Sequence, residues 1–145
     1  MGLDMYLTKR VYVGANYEHN QVKGKIEISK NGKPVQVKLN NVSAIVEQVG
    51  YWRKANQIHN WFVQNVQDGE DNCAEYYVSI DQLKQLRETC ITALVTKNAD
   101  LLPPTEGFFF GSTEIDQFYW DDLKETVEIL ADLDENADYY YNASW

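Results

Sequence analysis

The chain has 145 residues, 22 of them acidic and 13 basic, for a formal net charge of -9, and it is 44% hydrophobic. That length fits one domain, two cysteines are too few for a disulfide scaffold, and no apolar run approaches the roughly 20 residues that span a bilayer. Net acidity argues against direct nucleic-acid or anionic-membrane binding, and Met1-Gly2-Leu3-Asp4 lacks the basic start of a secretion signal, so a cytoplasmic protein is expected.

Taken in chain order, residues 3–13 carry Leu3, Met5, Leu7, Val11, Tyr12 and Val13, a composition that suits a strand. Ile26 and Ile28, then Val35, Val37 and Leu39, alternate with polar residues around Lys30-Asn31-Gly32-Lys33, which predicts a β-hairpin with one buried face. Residues 44–52 read as a further strand or the start of a helix, with Val46, Val49, Gly50 and Tyr51 favouring the strand. Between residues 54 and 67 the spacing becomes helical, with Ala55, Ile58, Phe62 and Val66 on the apolar stripe and Gln57, Asn60 and Gln64 away from it. Asp68-Gly69 ends this helix.

Residues 75–78 predict a short strand. Ser79-Ile80-Asp81-Gln82 has the form of a capping box, so a helix should follow with Leu83, Leu86, Cys90 and Leu94 inward. Gly107-Phe108-Phe109-Phe110-Gly111 reads as a buried strand bounded by glycines. A last helix over 116–133 would bury Tyr119, Leu123, Val127 and Leu130, with Ser112 or Thr113 as its cap. Strands and helices mix without regular βαβ alternation, so the expected class is α+β: a small antiparallel sheet with an N-terminal β-hairpin, packed against about three helices. Residues 1–136 form the expected single domain, and 137–145 an aromatic, loosely attached tail.

Charge is unevenly placed. Residues 1–60 hold four acids and nine bases, whereas residues 114–145 hold ten acids against the single Lys124. Such a stretch is either a solvated face or a surface offered to a basic partner, with salt dependence as the signature of the second.

Four strings share a resemblance: Met1-Gly2-Leu3-Asp4-Met5-Tyr6-Leu7, the run from Gly50-Tyr51-Trp52-Arg53-Lys54 through Ile58-His59-Asn60-Trp61-Phe62-Val63, Asp68-Gly69-Glu70-Asp71-Asn72-Cys73, and Gly107-Phe108-Phe109-Phe110-Gly111-Ser112-Thr113. Together they resemble a family of small proteins encoded by bacteriophages and prophages. The resemblance implies a host bacterial cytoplasm and a role in interference with host machinery, such as counter-defence or host takeover; it assigns no catalytic residue.

Two sets of candidate residues follow from chemistry. Tyr51, Trp52, Arg53, Lys54, Asn56, His59 and Trp61 gather stacking rings, cations and hydrogen-bonding groups near one helix start, which could hold a small, nucleotide-type ligand or support a weak hydrolase. The alternative is that the polar members tie the helix to neighbouring backbone. Glu114, Asp116, Trp120, Asp121, Asp122, Asp132, Asp134, Tyr139, Tyr140 and Tyr141 are the candidates for binding a host protein or a second copy of the chain, because rigid rings beside acids suit protein interfaces.

Metal ligation lacks its usual spacing, since there is no paired C-x-x-C and no two histidines at i and i+4. A thiol nucleophile at Cys73 would need a base within hydrogen-bond reach, and no local pattern supplies one. No complete catalytic constellation emerges, and no metal or cofactor is expected. The sequence reading is a non-enzymatic binding protein, with small-ligand sequestration as the alternative.

Overall fold

A computed structural model describes residues 2–14, 18–20 and 27–145. Six strands and three α-helices follow in the order β1 (Asp4–Tyr12), β2 (Ser29–Lys30), β3 (Lys33–Pro34), β4 (Ala44–Arg53), α1 (Asn56–Asn65), β5 (Tyr76–Val78), α2 (Ile80–Thr96), α3 (Gln117–Ile129) and β6 (Asp138–Ser144). The principal sheet has the order β4-β1-β6-β5 and is antiparallel throughout. The class is α+β, and no described helix is long and apolar enough to cross a membrane.

Alternation along the strands places the core. Leu3, Met5 and Leu7 from β1 and its approach, Trp52 from β4, Val78 from β5, and Tyr139, Tyr141 and Ala143 from β6 are all buried. They form one cluster with Ala55, Ile58 and Phe62 of α1 and its approach, Leu83, Leu86 and Cys90 of α2, and Tyr119 and Leu123 of α3. Each strand residue between them turns to the other face, as a period of two requires. Much of the aromatic content goes there: Tyr6 lies against Tyr51 at 5.5 Å, Tyr77 meets Tyr140 edge-on at 5.8 Å, and the Arg10 guanidinium sits 4.1 Å above the Tyr140 ring. Arg10 also pairs with Glu75 at 2.6 Å.

Close approach of α3 to β4 depends on Gly50. A Cβ there would lie 2.9 Å from Ile129 Cγ2 and 3.2 Å from Leu7 Cβ, too tight for either to remain in place. The next residue back, Val49, is the extra residue of a bulge, where the β1 register steps from Leu7 opposite Gly50 to Thr8 opposite Gln48.

Local signals explain the helices. The Ser79 hydroxyl accepts from the Gln82 N–H, and the Gln82 side chain accepts from the Ser79 N–H, so both halves of the capping box are made. Asp116, not Ser112 or Thr113, caps α3 by accepting from the Tyr119 N–H; Ser112 instead closes a turn by accepting from Glu114. α3 ends at Ile129, four residues short of the predicted limit.

Three expectations are overturned. Residues 138–144 are not a tail but the strand β6, hydrogen-bonded on one side to β1 and on the other to β5, so the folded unit continues through them. The phenylalanine run 108–110 is not a strand but a tight turn, in which the Phe110 N–H donates to Gly107 O at 3.2 Å. The hairpin forms at Asn31-Gly32, both with positive φ as a primed turn demands, yet it pairs only two residues per strand and leaves Ile28, Val35 and Val37 exposed. Ile26 lies outside the described residues.

Candidate functional site

β4 ends at Arg53, and Lys54 reverses the chain into α1 with φ 61°, a left-handed conformation that costs a residue bearing a Cβ. The reversal is fixed from outside, because the Lys54 N–H donates to Leu3 O at 2.7 Å. Asn56, in the first turn of α1, then uses its whole amide on one loop. Its Nδ2 donates to Phe110 O and Ser112 O at 3.1 and 2.9 Å, while its Oδ1 accepts from the Thr105 N–H at 3.0 Å. Gly111, with φ 90°, lets the loop close onto Lys54, since a Cβ there would stand 3.1 Å from Lys54 Cβ.

This clamp fixes what the loop shows to solvent. Phe110 is buried, packing edge-on to His59 at 5.2 Å and Trp145 at 5.7 Å. Phe108 and Phe109 point outward, 74% and 42% exposed, and Phe109 is itself held at φ 63°. A bulky residue in that region of backbone is a genuine outlier. Here it is held by Leu3, whose N–H donates to Phe109 O at 3.3 Å, and by the Asn56 amide one residue later.

Between this loop, the start of α1 and α3 lies a cleft of about 270 Å³. Its lining combines the cations Arg53 and Lys54 with the acids Glu114, Asp116 and Asp122, and includes Phe118, 78% exposed. Neither Arg53 nor Lys54 makes an ion pair among the described residues. The Gln57 amide crosses from α1 to donate to Asp122 Oδ2 at 3.0 Å and to Tyr119 O at 3.3 Å. Burial raises the Asp122 carboxyl to about 6, with Glu125, Asp116 and Asp121 adding to the shift and Gln57 opposing it.

The sign of the linkage follows. The folded state holds the Asp122 proton more tightly than the unfolded chain, so its stabilising effect is complete below the ordinary carboxyl pKa and is lost as pH rises through about 6. At neutral pH a partly buried charge remains. Asp122→Asn should therefore stabilise the fold near pH 7.5 by about 1–2 kcal/mol, a figure discounted for the part of the group that solvent screens, with the gain disappearing near pH 4. Urea unfolding at the two pH values checks this; equal stability changes at both would contradict it.

Comparison with protein-family models, curated proteins and solved structures returns no match. The site must be read from its own geometry.

Of the ligand candidates, Arg53, Lys54 and Asn56 line the cleft, but Trp52, His59 and Trp61 do not. Trp52 is buried, its Nε1 donating to Thr126 Oγ1 at 2.9 Å, while Thr126 Oγ1 donates on to Asp122 O at 2.7 Å. Trp61 is buried edge-on to Phe62. Tyr51 lies on the outer sheet face with its hydroxyl on Asp4 at 2.6 Å.

His59 is fully buried. Burial pushes its pKa below the ordinary value, outweighing Asp71, so it is neutral at physiological pH. Asp71 can only accept, hence Nε2 carries the proton donated to Asp71 Oδ1 at 2.9 Å, and Nδ1 accepts from the Tyr141 hydroxyl at 2.7 Å. The chain Asp71–His59–Tyr141 ends on a buried hydroxyl beyond a substrate's reach, so it ties the loop after α1 to β6. Among the described residues no three His, Cys, Asp or Glu side chains converge on a metal position.

The partner candidates divide similarly. Tyr139 and Tyr141 are core residues, and Tyr140 sits under Arg10. Asp134 is held by Lys9 at 3.3 Å and by the Asn136 N–H. Trp120 is half-buried under Lys97, Asp132 is exposed, and Asp121 is paired with Lys124 at 2.8 Å. Glu114, Asp116 and Asp122 share the cleft. Sequence reasoning missed Gln57, placed off the apolar stripe yet 3% exposed, and Phe118; for Phe108 and Phe109, the adjacency of three rings implies that not all enter one core layer but not which of them are exposed.

Proposed function

We propose that the protein is a non-enzymatic phage or prophage accessory factor that binds a basic surface of a host protein through the ledge formed by residues 103–122. The observation that carries this reading is the clamped loop: its backbone is held in a strained form by Asn56 and Leu3 while Phe108 and Phe109 are kept in water. Strained backbone persists only where the surroundings impose it, and such positions gather at binding sites. An exposed, pre-ordered ring loses little entropy on association, and aromatic anchors supply much of an interface's energy.

Charge supports the same face. Residues 103–122 contain five acids and no base, so a basic partner would be drawn to the ledge before the rings dock. The resemblance of the sequence to small phage and prophage proteins favours a host protein, in a counter-defence or host-takeover role, as that partner. Capture from bacterial lysate should lose its specific protein when Phe108→Ser and Phe118→Ser are combined, while Val95→Ser, which removes an equally exposed side chain from α2, leaves capture intact. Equal loss in both variants would count against the ledge.

A further inference from the structure

We propose that the cleft beside the ledge binds a small zwitterion of the amino-acid or dipeptide class, its carboxylate on Arg53 and Lys54 and its ammonium on Asp122 and the neighbouring acids. This goes beyond protein binding, because it draws on Arg53 and Lys54, which lie outside the ledge, while Glu114, Asp116, Phe118 and Asp122 are shared by ledge and cleft.

Two cations of the cleft have no carboxylate partner among the described residues. Among the described residues Lys9, Arg10, Lys84 and Lys124 have carboxylate partners; Arg53 and Lys54 have none, nor do Lys30, Lys33, Lys38, Arg87 and Lys97, but of these seven only Arg53 and Lys54 line the cleft. They enter the cleft together because Lys54 is held in its left-handed turn by Leu3. A carboxylate suits this pair, since guanidinium and ammonium both donate strongly to planar oxyanions.

The acidic part of the lining has the reverse character. Gln57 occupies Oδ2 of Asp122, and no described group bonds to Oδ1. Among the described residues Glu114 has no ion pair, and Asp116 uses Oδ1 to cap α3. A ligand ammonium would satisfy these acceptors and supply the charge that the half-buried Asp122 lacks. Phe118 and Pro104 give an apolar boundary for a side chain.

The volume sets the size. At about 270 Å³ the cleft falls just below the roughly 300 Å³ at which drug-sized sites begin, which restricts it to a small ligand. A nucleotide's phosphates would reach Arg53 and Lys54 but would also face three carboxylates, so the two-signed lining disfavours the nucleotide-type ligand expected from sequence.

Calorimetric titration of the full chain at neutral pH with leucine, phenylalanine and glycyl-phenylalanine tests the proposal, with N-acetyl-phenylalanine, phenylalanine amide and AMP as comparisons. At least one zwitterion should bind saturably at millimolar concentration or below. Masking either charged end, Arg53→Ala or Asp122→Asn should each weaken that binding about tenfold or more, and Lys84→Ala on α2 should leave it unchanged. Thermal unfolding of each variant establishes that the fold is retained, and amide shifts confined to the Lys54, Gln57 and Ser112 region would place the ligand. Failure of all three zwitterions to saturate, tighter binding of AMP, or indifference to masking and to both cleft substitutions would overturn the proposal.

Discussion

Removing residues 138–145 should leave a chain with no cooperative unfolding transition. β6 is an interior strand, and its loss would strip β1 of one partner, β5 of its only one, and the His59 ring of the Tyr141 hydroxyl. Tyr139 and Tyr141 are 2% and 0% exposed, and Tyr141 stacks on Phe62 with ring centres 3.8 Å apart. Two buried aromatics contribute about 1.5–3 kcal/mol each by area alone, before the ladders on both sides and the contacts of Trp145 are counted. Together these rival the roughly 5–15 kcal/mol by which a whole domain is stable. Far-ultraviolet circular dichroism during heating provides the check; a truncated chain that melted sharply near the full-length temperature would show that residues 138–145 are dispensable to the fold.

Trp52→Ala should cost about 3–5 kcal/mol, the range for removing a large buried ring. Its indole is 1% exposed, tilted against Phe62 at 6.1 Å, and anchored through Nε1 to Thr126 Oγ1. The alanine would leave a cavity where β4, α1 and α3 meet. Thr126 would still have its own bond to Asp122 O, so most of the loss is packing rather than an orphaned hydroxyl. The urea midpoint should fall with little change of slope. A variant as stable as wild type but unable to bind a ligand would instead return Trp52 to a stacking role.

These two effects mark where sequence and structure part. α2 was legible because its start depends on neighbours in sequence: Ser79 and Gln82 need only each other. The Asn31-Gly32 turn was legible for the same reason, while the burial of its flanking residues depends on distant packing that never arrives. In β6 the alternation of Ala137, Tyr139, Tyr141 and Ala143 with Asp138, Tyr140, Asn142 and Ser144 was present, but tyrosine on both faces masked it. The phenylalanine run failed in the opposite direction. The run reads as a buried strand whose rings cannot all enter one core layer unless both faces are covered; only Phe110 is buried, because the Asn56 clamp fixes which side faces water.

The site was half legible. Arg53, Lys54 and Asn56 were named from one end of the chain, and Glu114, Asp116 and Asp122 from the other, each set for a different role. Their meeting depends on the packing of α1 against α3, where Gln57 reaches an aspartate 65 residues away. No local pattern announces that contact. The same packing partly buries Asp122, which costs stability at neutral pH and accords with the ligand role proposed for it.

The ledge itself is tested most directly by quantitative capture from bacterial lysate over about 50–300 mM salt, comparing wild type, the Phe108→Ser and Phe118→Ser double variant, and Val95→Ser. The predicted result is a specific protein retained by wild type and Val95→Ser, released as salt rises, and lost from the double variant at every salt concentration. Capture that ignores both the salt and the two phenylalanines would contradict the account.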